Sequence, residues 1–303
     1  MTEQDTEAAR LHRELLLLAG RVPDDLLARA RSTLAEGRPD VVAAATAGLA
    51  GREPELPYAF APALPTDGTP TPVLDLTGVP AAELDPVDRA AVRALVRVPE
   101  AVALWRAWRL APEWAAAVVP PARVYVLEAQ APADTLPAVT AAVMRDLVRA
   151  GEQSPRVETY PVGAEPGAYQ LGARSAGALL WTARDTSPVR LAGPGDNTRL
   201  DPAERPRVLA CLRAGTPIVT TTRLAPDDVE PGRGRIVPMN YRTDGRWVWS
   251  DSAAYYLRTY GLAPDPGLLA DFRAAGYAHR RVDSVGTHRA LAALFRPEPA
   301  RAS

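Results

Sequence analysis

Apolar residues recur at helical spacing through the first fifty positions. Leu11, Leu15 and Leu18 fall on one face, with charged residues between them, which predicts an amphipathic helix. Pro23 stands where a second helix starts. Asp24 and Asp25 occupy its first turn, where the helix dipole favours acids, and Gly37 ends it. A third short helix is predicted over 41–49. Three short helices are marginal in isolation, so they are expected to bundle or dock. Residues 51–84 then lose periodicity and gain proline. They predict a strap or linker, with the main boundary there. The expected organisation is a helical segment at 1–50, a strap at 51–84 and a mixed α/β domain at 85–303.

Asp85-Pro86 pairs an N-cap residue with an N1 proline and opens a helix running to about Arg97. A further helix is predicted from Pro99, because Ala101, Val102, Trp105 and Trp108 fit helical spacing. From Arg123 the pattern becomes mixed. "RVYVLEA", "RVETYPV", "GALLWTA" and "PIVTTT" are short β-rich runs. Between them lie a helix over Leu136, Val139, Val143 and Leu147, closed by Gly151, and another opened by Asp201-Pro202. Strands alternating with helices predict crossover connections. The fold class is therefore α/β or α+β, a mixed, partly parallel sheet with flanking helices behind a helical N-terminal segment.

Asp244-Gly245 sits between two strand-like runs, the strongest short hairpin signal. A two-residue turn would set Arg242 opposite Trp247, and Asn240 opposite Trp249. All four would then share one face, with Met239, Tyr241 and Val248 on the other. The first face has two readings: core packing, or an aromatic and guanidinium platform for a ligand or partner. Ser250 or Asp251 caps the next helix and Gly261 ends it. Ala253, Tyr256, Leu257 and Tyr260 are expected to pack on the sheet, leaving Tyr255 and Arg258 partly exposed. Two more helices are predicted after Asp265-Pro266 and from Asp283.

The runs "YRTDGRWVW", "YYL", "YGLAPDP" and "AAGY", between about 237 and 277, resemble segments in uncharacterised proteins of GC-rich actinobacteria. The resemblance covers about an eighth of the chain and implies no catalytic residue.

Composition removes whole classes of chemistry. All 35 basic residues are Arg. Without lysine there is no Schiff base, no Walker A lysine and no kinase strand lysine. The net charge of −1 argues against a broad nucleic-acid-binding face. Cys211 is the single cysteine, so no internal disulfide forms. Its apolar neighbours Val208 and Leu212, near the end of a helix, predict a buried, inert thiol. His12, His279 and His288 are the three histidines, and their spacing matches no zinc motif. His12 is expected to face solvent, His288 to lie in the core, and His279 to be the freest. No cofactor or metal is expected. The short apolar run near the start is neither a signal peptide nor a membrane span, so a cytoplasmic protein is expected.

Two further features bear on a site. "LAGPGDN", Leu191–Asn197, is a turn that could also offer backbone N–H groups to an anion. Ligands of parallel sheets approach the carboxyl ends of the strands, which here would offer Glu128, Tyr160, Arg184, Asp185, Thr222 and Arg223. The candidate binding residues are therefore Arg242, Trp247, Trp249, Asn240, Arg184, Asp185, Arg223 and Glu128, with no catalytic residue assigned. The expected function is a non-catalytic binding or regulatory protein using an aromatic and Arg surface, with a protein partner or a small polar ligand. Two alternatives stand. One is a lysine-free, metal-independent enzyme acting on a small polar substrate such as a nucleotide or sugar, and the other is an immunity or antitoxin-type partner.

Overall fold

The computed structural model describes residues 3–49, 57–64 and 72–296. The chain forms two compact units, 1–186 and 187–303, each with its own sheet and helices. The architecture is of the α+β class with parallel and antiparallel strand pairs. Much of the expected strap, 50–56 and 65–71, lies outside the described residues. The helices expected at 1–50 belong to the same compact unit as the first sheet.

In the first unit the described helices are α1 (Glu3–Leu17), α2 (Asp24–Ala35), α3 (Pro39–Thr46), α4 (Pro86–Ala94), α5 (Leu136–Arg149) and α6 (Ala168–Ser175). The strands are β1 (Ala59–Ala61), β2 (Leu74–Asp75), β3 (Ala101–Leu110), β4 (Ala122–Ala129), β5 (Arg156–Pro161) and β6 (Ala178–Thr182). The sheet order is β2-β6-β3-β4-β5, and β1 also pairs with β3. β4 and β5 run parallel, joined by α5 as a crossover must be. β3 is antiparallel to both β4 and β6.

β3 corrects the helix expected from Pro99. Nearly every position along it is buried, because a central strand covered on both faces shows no alternation. Ala101, Val102, Trp105 and Trp108 therefore fit a helical period by coincidence. The Asp85 cap forms as expected, its carboxylate accepting from Val87 N.

Leu11, Leu15 and Leu18 are buried in a helical core with Leu27 and Leu34. A second, polar layer ties α1 and α2 to β5 and α6. Arg31 donates to Glu158 at 2.8 Å, with both side chains almost wholly buried. Gln170 Nε2 donates to Glu158 at 2.9 Å and to the Leu16 carbonyl at 2.8 Å. His12, expected at the surface, is 2 % exposed, its Nε2 2.8 Å from the Thr159 carbonyl. Its charged sequence neighbours lie on the other side of α1, which is why the local pattern pointed outward. Burial pulls the His12 imidazole down to about 4, so it is neutral in the folded protein. Arg109 forks onto Asp24 at 2.7 and 2.9 Å, the bidentate geometry that suits an all-arginine chain.

In the second unit the described strands are β7 (Arg190–Leu191), β8 (Thr216–Val219), β9 (Leu224–Pro226), β10 (Arg235–Pro238), β11 (Tyr241–Thr243) and β12 (Trp247–Ser250). The helices are α7 (Arg205–Ala214), α8 (Asp251–Tyr260), α9 (Pro266–Ala274) and α10 (Ser284–Leu294). One sheet has the order β7-β12-β11-β8, and β9-β10 forms a separate antiparallel ribbon. Trp247 and Trp249 pack with Leu212, Leu257, Leu268 and Phe272 in the core.

The hairpin forms, but its register differs from the two-residue turn by two positions. Thr243 pairs with Val248, Arg242 with Trp249 and Tyr241 with Ser250. The longer loop is set by side chains. Asp244 Oδ1 accepts from Arg246 N at 2.9 Å and from Trp247 N at 2.8 Å, while Thr243 Oγ1 donates to the Trp247 carbonyl at 2.6 Å. Of the two turn residues only Gly245 takes the left-handed region, at φ 87°. A shift of two preserves side-chain parity, so both tryptophans stay on one face.

Candidate ligand-binding cleft

The second unit holds a cleft of about 420 Å³, within the size range of small-molecule sites. Its floor lies at strand ends, where Tyr241 opens β11 and Trp249 and Ser250 close β12, with Leu268 of α9. One wall is the β9-β10 ribbon and the residue following it, contributing Ala225, Asp228, Val229, Val237 and Met239. The opposite wall is the Gly-Pro loop after β7 together with 262–265. Ser252, Ala253 and Tyr256 of α8 line the space between the walls.

Each wall is fixed by identifiable bonds. The ribbon is fastened to α8 through Asp227, which is fully buried. Its Oδ2 accepts from Tyr255 at 2.7 Å and Tyr260 at 2.6 Å, and its Oδ1 from Val229 N and Glu230 N. Burial alone would raise this carboxyl. The hydrogen bonds from Tyr260 and Tyr255 outweigh it and hold the group down at about 2. Leu257 is buried and Arg258 exposed as expected for α8, but this fastening buries Tyr255, expected partly exposed, and leaves Tyr256 half-buried at the cleft.

The Gly-Pro loop is held by Asp265. Its Oδ2 accepts from Gly193 N at 2.9 Å, while its Oδ1 caps α9 by accepting from Gly267 N and Leu268 N. Gly195 lies so close to the 262–265 segment that a Cβ would sit 2.1 Å from the Ala263 carbonyl oxygen. Only glycine permits that approach.

Polar groups without protein partners face this space. Tyr241, Ser252 and the Asn197 side chain line the cleft. None of their side-chain polar groups has a hydrogen-bond partner in the structure among the described residues. Tyr256 makes longer contacts, accepting from Asp228 N at 3.2 Å and reaching Asp228 Oδ2 at 3.4 Å.

The residues anticipated from sequence fall in both units. Glu128 pairs with Tyr160 across the parallel β4 and β5 strands, at their carboxyl ends. Arg184 and Asp185 are exposed just after β6. Arg223 is exposed after β8, which belongs to the other sheet. The strand ends grouped together in sequence therefore do not form one edge. In the second unit Arg242 is engaged by Asp251 at 2.7 Å and by the carbonyls of Arg213 and Gly215. Asn240 donates to Asp251 at 2.9 Å and accepts from Thr221 N at 2.9 Å. Trp247 and Trp249 are buried, their indole N–H groups bonded to Asp271 and to the Leu212 carbonyl. Asn240 and Arg242 thus tie β11 to α8, the two tryptophans tie β12 to α9 and α7, and among the described residues neither tryptophan of that face is exposed.

Sequence reasoning missed Tyr241, Ser252, Tyr256 and Asp228. The Gly-Pro loop was the one available signal, although two of its amides are already bonded: Gly193 N to Asp265 and Ala192 N to the Val248 carbonyl.

A much smaller depression, of about 20 Å³, brings Cys211 together with His279, Asp244 and Asp271. That volume holds about one water. Burial, and then Asp244, push the Cys211 thiol up, the reverse of an activated nucleophile.

Among the described residues, no group of three or more His, Cys, Asp or Glu side chains is placed to hold a metal ion. No described helix is long and apolar enough to cross a membrane. Comparisons with protein-family models, curated proteins and solved structures gave no match.

Proposed function

We propose that the second unit is a small-molecule-binding module and that the chain serves as a binding or regulatory protein rather than a catalyst. The observation that carries this reading is the cleft itself. It is a space of about 420 Å³ with an apolar floor, into which Tyr241, Ser252 and Asn197 present hydrogen-bonding groups. A preformed apolar pocket with a few polar groups is the usual form of a ligand site.

The lining also argues against acid–base or nucleophilic chemistry. Among the described residues it contains no imidazole, thiol or guanidinium. Of its two carboxylates, Asp265 is occupied by three backbone N–H groups, and Asp228 is exposed at the rim. A general base must reach the proton it takes and be free to take it.

The experiment is a ligand-observed NMR screen of small fragments on the full chain, repeated on Ala253→Trp and Tyr241→Phe. Ala253→Trp fills the cleft and should abolish binding while circular dichroism shows an intact fold. Tyr241→Phe should weaken hits that carry a hydrogen-bonding group. Hits that bind both variants as they bind the wild type would sink the proposal.

A further inference from the structure

We infer that the cleft selects an uncharged or singly cationic ligand and turns anions away. This inference rests on the reading of the cleft as the ligand site and adds the chemistry of what enters it.

Among the described residues, the charged side chains lining the cleft are Asp228 and Asp265, with no arginine. Asp265 is taken up by three backbone N–H groups, so an anion entering the cleft meets the exposed Asp228 carboxylate and no lining guanidinium. The nearby Arg242, on β11 beside Tyr241, is held by Asp251 and two carbonyls.

Backbone dipoles are in part already spent. A helix N-terminus attracts an anion through unsatisfied N–H groups, and both helices that start at the cleft commit N–H groups to their own caps. At α8, Ser250 Oγ accepts from Ser252 N at 3.2 Å, and the Asp251 carboxylate occupies the first turn. At α9, Asp265 accepts from Gly267 N and Leu268 N. The Gly-Pro loop, whose glycines could have formed an anion nest, gives its Gly193 N–H to the same Asp265.

What remains open suits a neutral or cationic molecule. The Tyr241 and Ser252 hydroxyls and the Asn197 amide can donate and accept. Met239, Val229 and Leu262, apolar lining residues that keep exposed surface, receive an apolar body. Asp228 at the rim engages Tyr256 only through contacts of 3.2 and 3.4 Å, leaving its carboxylate able to take an ammonium group. Rejection of anions by the Asp228 carboxylate is specificity by repulsion rather than by added contact.

The test uses three probes sharing one ring: tryptamine, tryptophol and indole-3-acetate, measured by calorimetry on the full chain at pH 7 and low salt. Tryptamine and tryptophol should bind, and indole-3-acetate should bind at least about tenfold more weakly. Asp228→Asn should weaken tryptamine by roughly two- to fivefold, the range of an exposed ion pair, and leave tryptophol unchanged. Ala253→Trp should abolish binding of all three. Indole-3-acetate binding as tightly as tryptophol, in a manner blocked by Ala253→Trp, overturns the charge selection while leaving the cleft as a site. Binding that survives Ala253→Trp, or no binding by any of the three at millimolar concentration, overturns both readings.

Discussion

The ion pair between Arg31 and Glu158 offers a quantitative test of how the N-terminal helices are held. The two side chains are 3 % and 1 % exposed, and Arg31 Nε has no partner of its own. Glu158→Leu leaves a buried guanidinium with no anion. Gln170 Nε2 keeps its bond to the Leu16 carbonyl, so the loss falls mainly on the charge. Breaking a buried pair from one side costs about 3–5 kcal/mol, whereas replacing both partners by apolar side chains is often neutral or better. At about 2–4 °C per kcal/mol for a unit of this size, Glu158→Leu should lower the melting midpoint by roughly 6–20 °C. The double variant Arg31→Leu/Glu158→Leu should recover most of that loss. Differential scanning calorimetry of the full chain, completed as a double-mutant cycle, measures both effects. A Glu158→Leu midpoint within about 2 °C of wild type would refute the reasoning, since no buried charge should be that cheap to orphan. A double variant as unstable as either single variant would show that packing, not charge, holds α2 to β5.

Three further outcomes follow from the structure. His12 is held near 4 by burial against an ordinary value of about 6.5. The unfolded chain therefore takes up a proton first, and stability is full above pH 6.5 and falls as pH drops towards 4, by up to about 3 kcal/mol. Urea midpoints between pH 7 and 4 should show this slope in the wild type, and His12→Gln should flatten it. In the second unit, Trp247→Ala should cost about 3–5 kcal/mol, as buried aromatic truncations do, and Gly245→Val about 1–2 kcal/mol from its positive φ. At Gly245 a Cβ meets its nearest neighbour, Val282 Cγ1, at an ordinary 3.8 Å, so a larger loss there in urea denaturation would point to something other than backbone strain.

The elements read most directly from sequence are those that carry their own punctuation. Asp85, Ser250, Asp265 and Asp283 cap helices through their side chains, and Gly261 ends α8 in the left-handed region. These signals are local, so no knowledge of the rest of the fold is needed. β3 was illegible because its burial on both faces is a property of its neighbours. His12 misled for the same reason, since its partner is a carbonyl on β5. The hairpin lay between these cases. Its faces followed from alternation, while its register depended on side-chain bonds from Asp244 and Thr243 that a turn motif does not specify. The cleft was the least legible feature. Its lining is drawn from a loop, a ribbon, the ends of two strands and two helices, and none of them carries a motif. The residues that drew attention, Trp247, Trp249 and Arg242, are rich in chemistry because they hold the core and the hairpin together.

The partners of the first two helices lie far along the chain. Arg31 waits for Glu158, 127 residues later, and the Leu16 carbonyl for Gln170, 154 residues later. During synthesis at about 5–20 residues per second, roughly 6–25 s separate the appearance of Arg31 from that of Glu158. Through that interval the helices can cover Leu11, Leu15, Leu27 and Leu34 against one another, but Arg31 and His12 have no sheet to meet. The apolar packing among the three helices thus gives the nascent segment something to fold around early, and the polar layer reports later that the sheet has arrived.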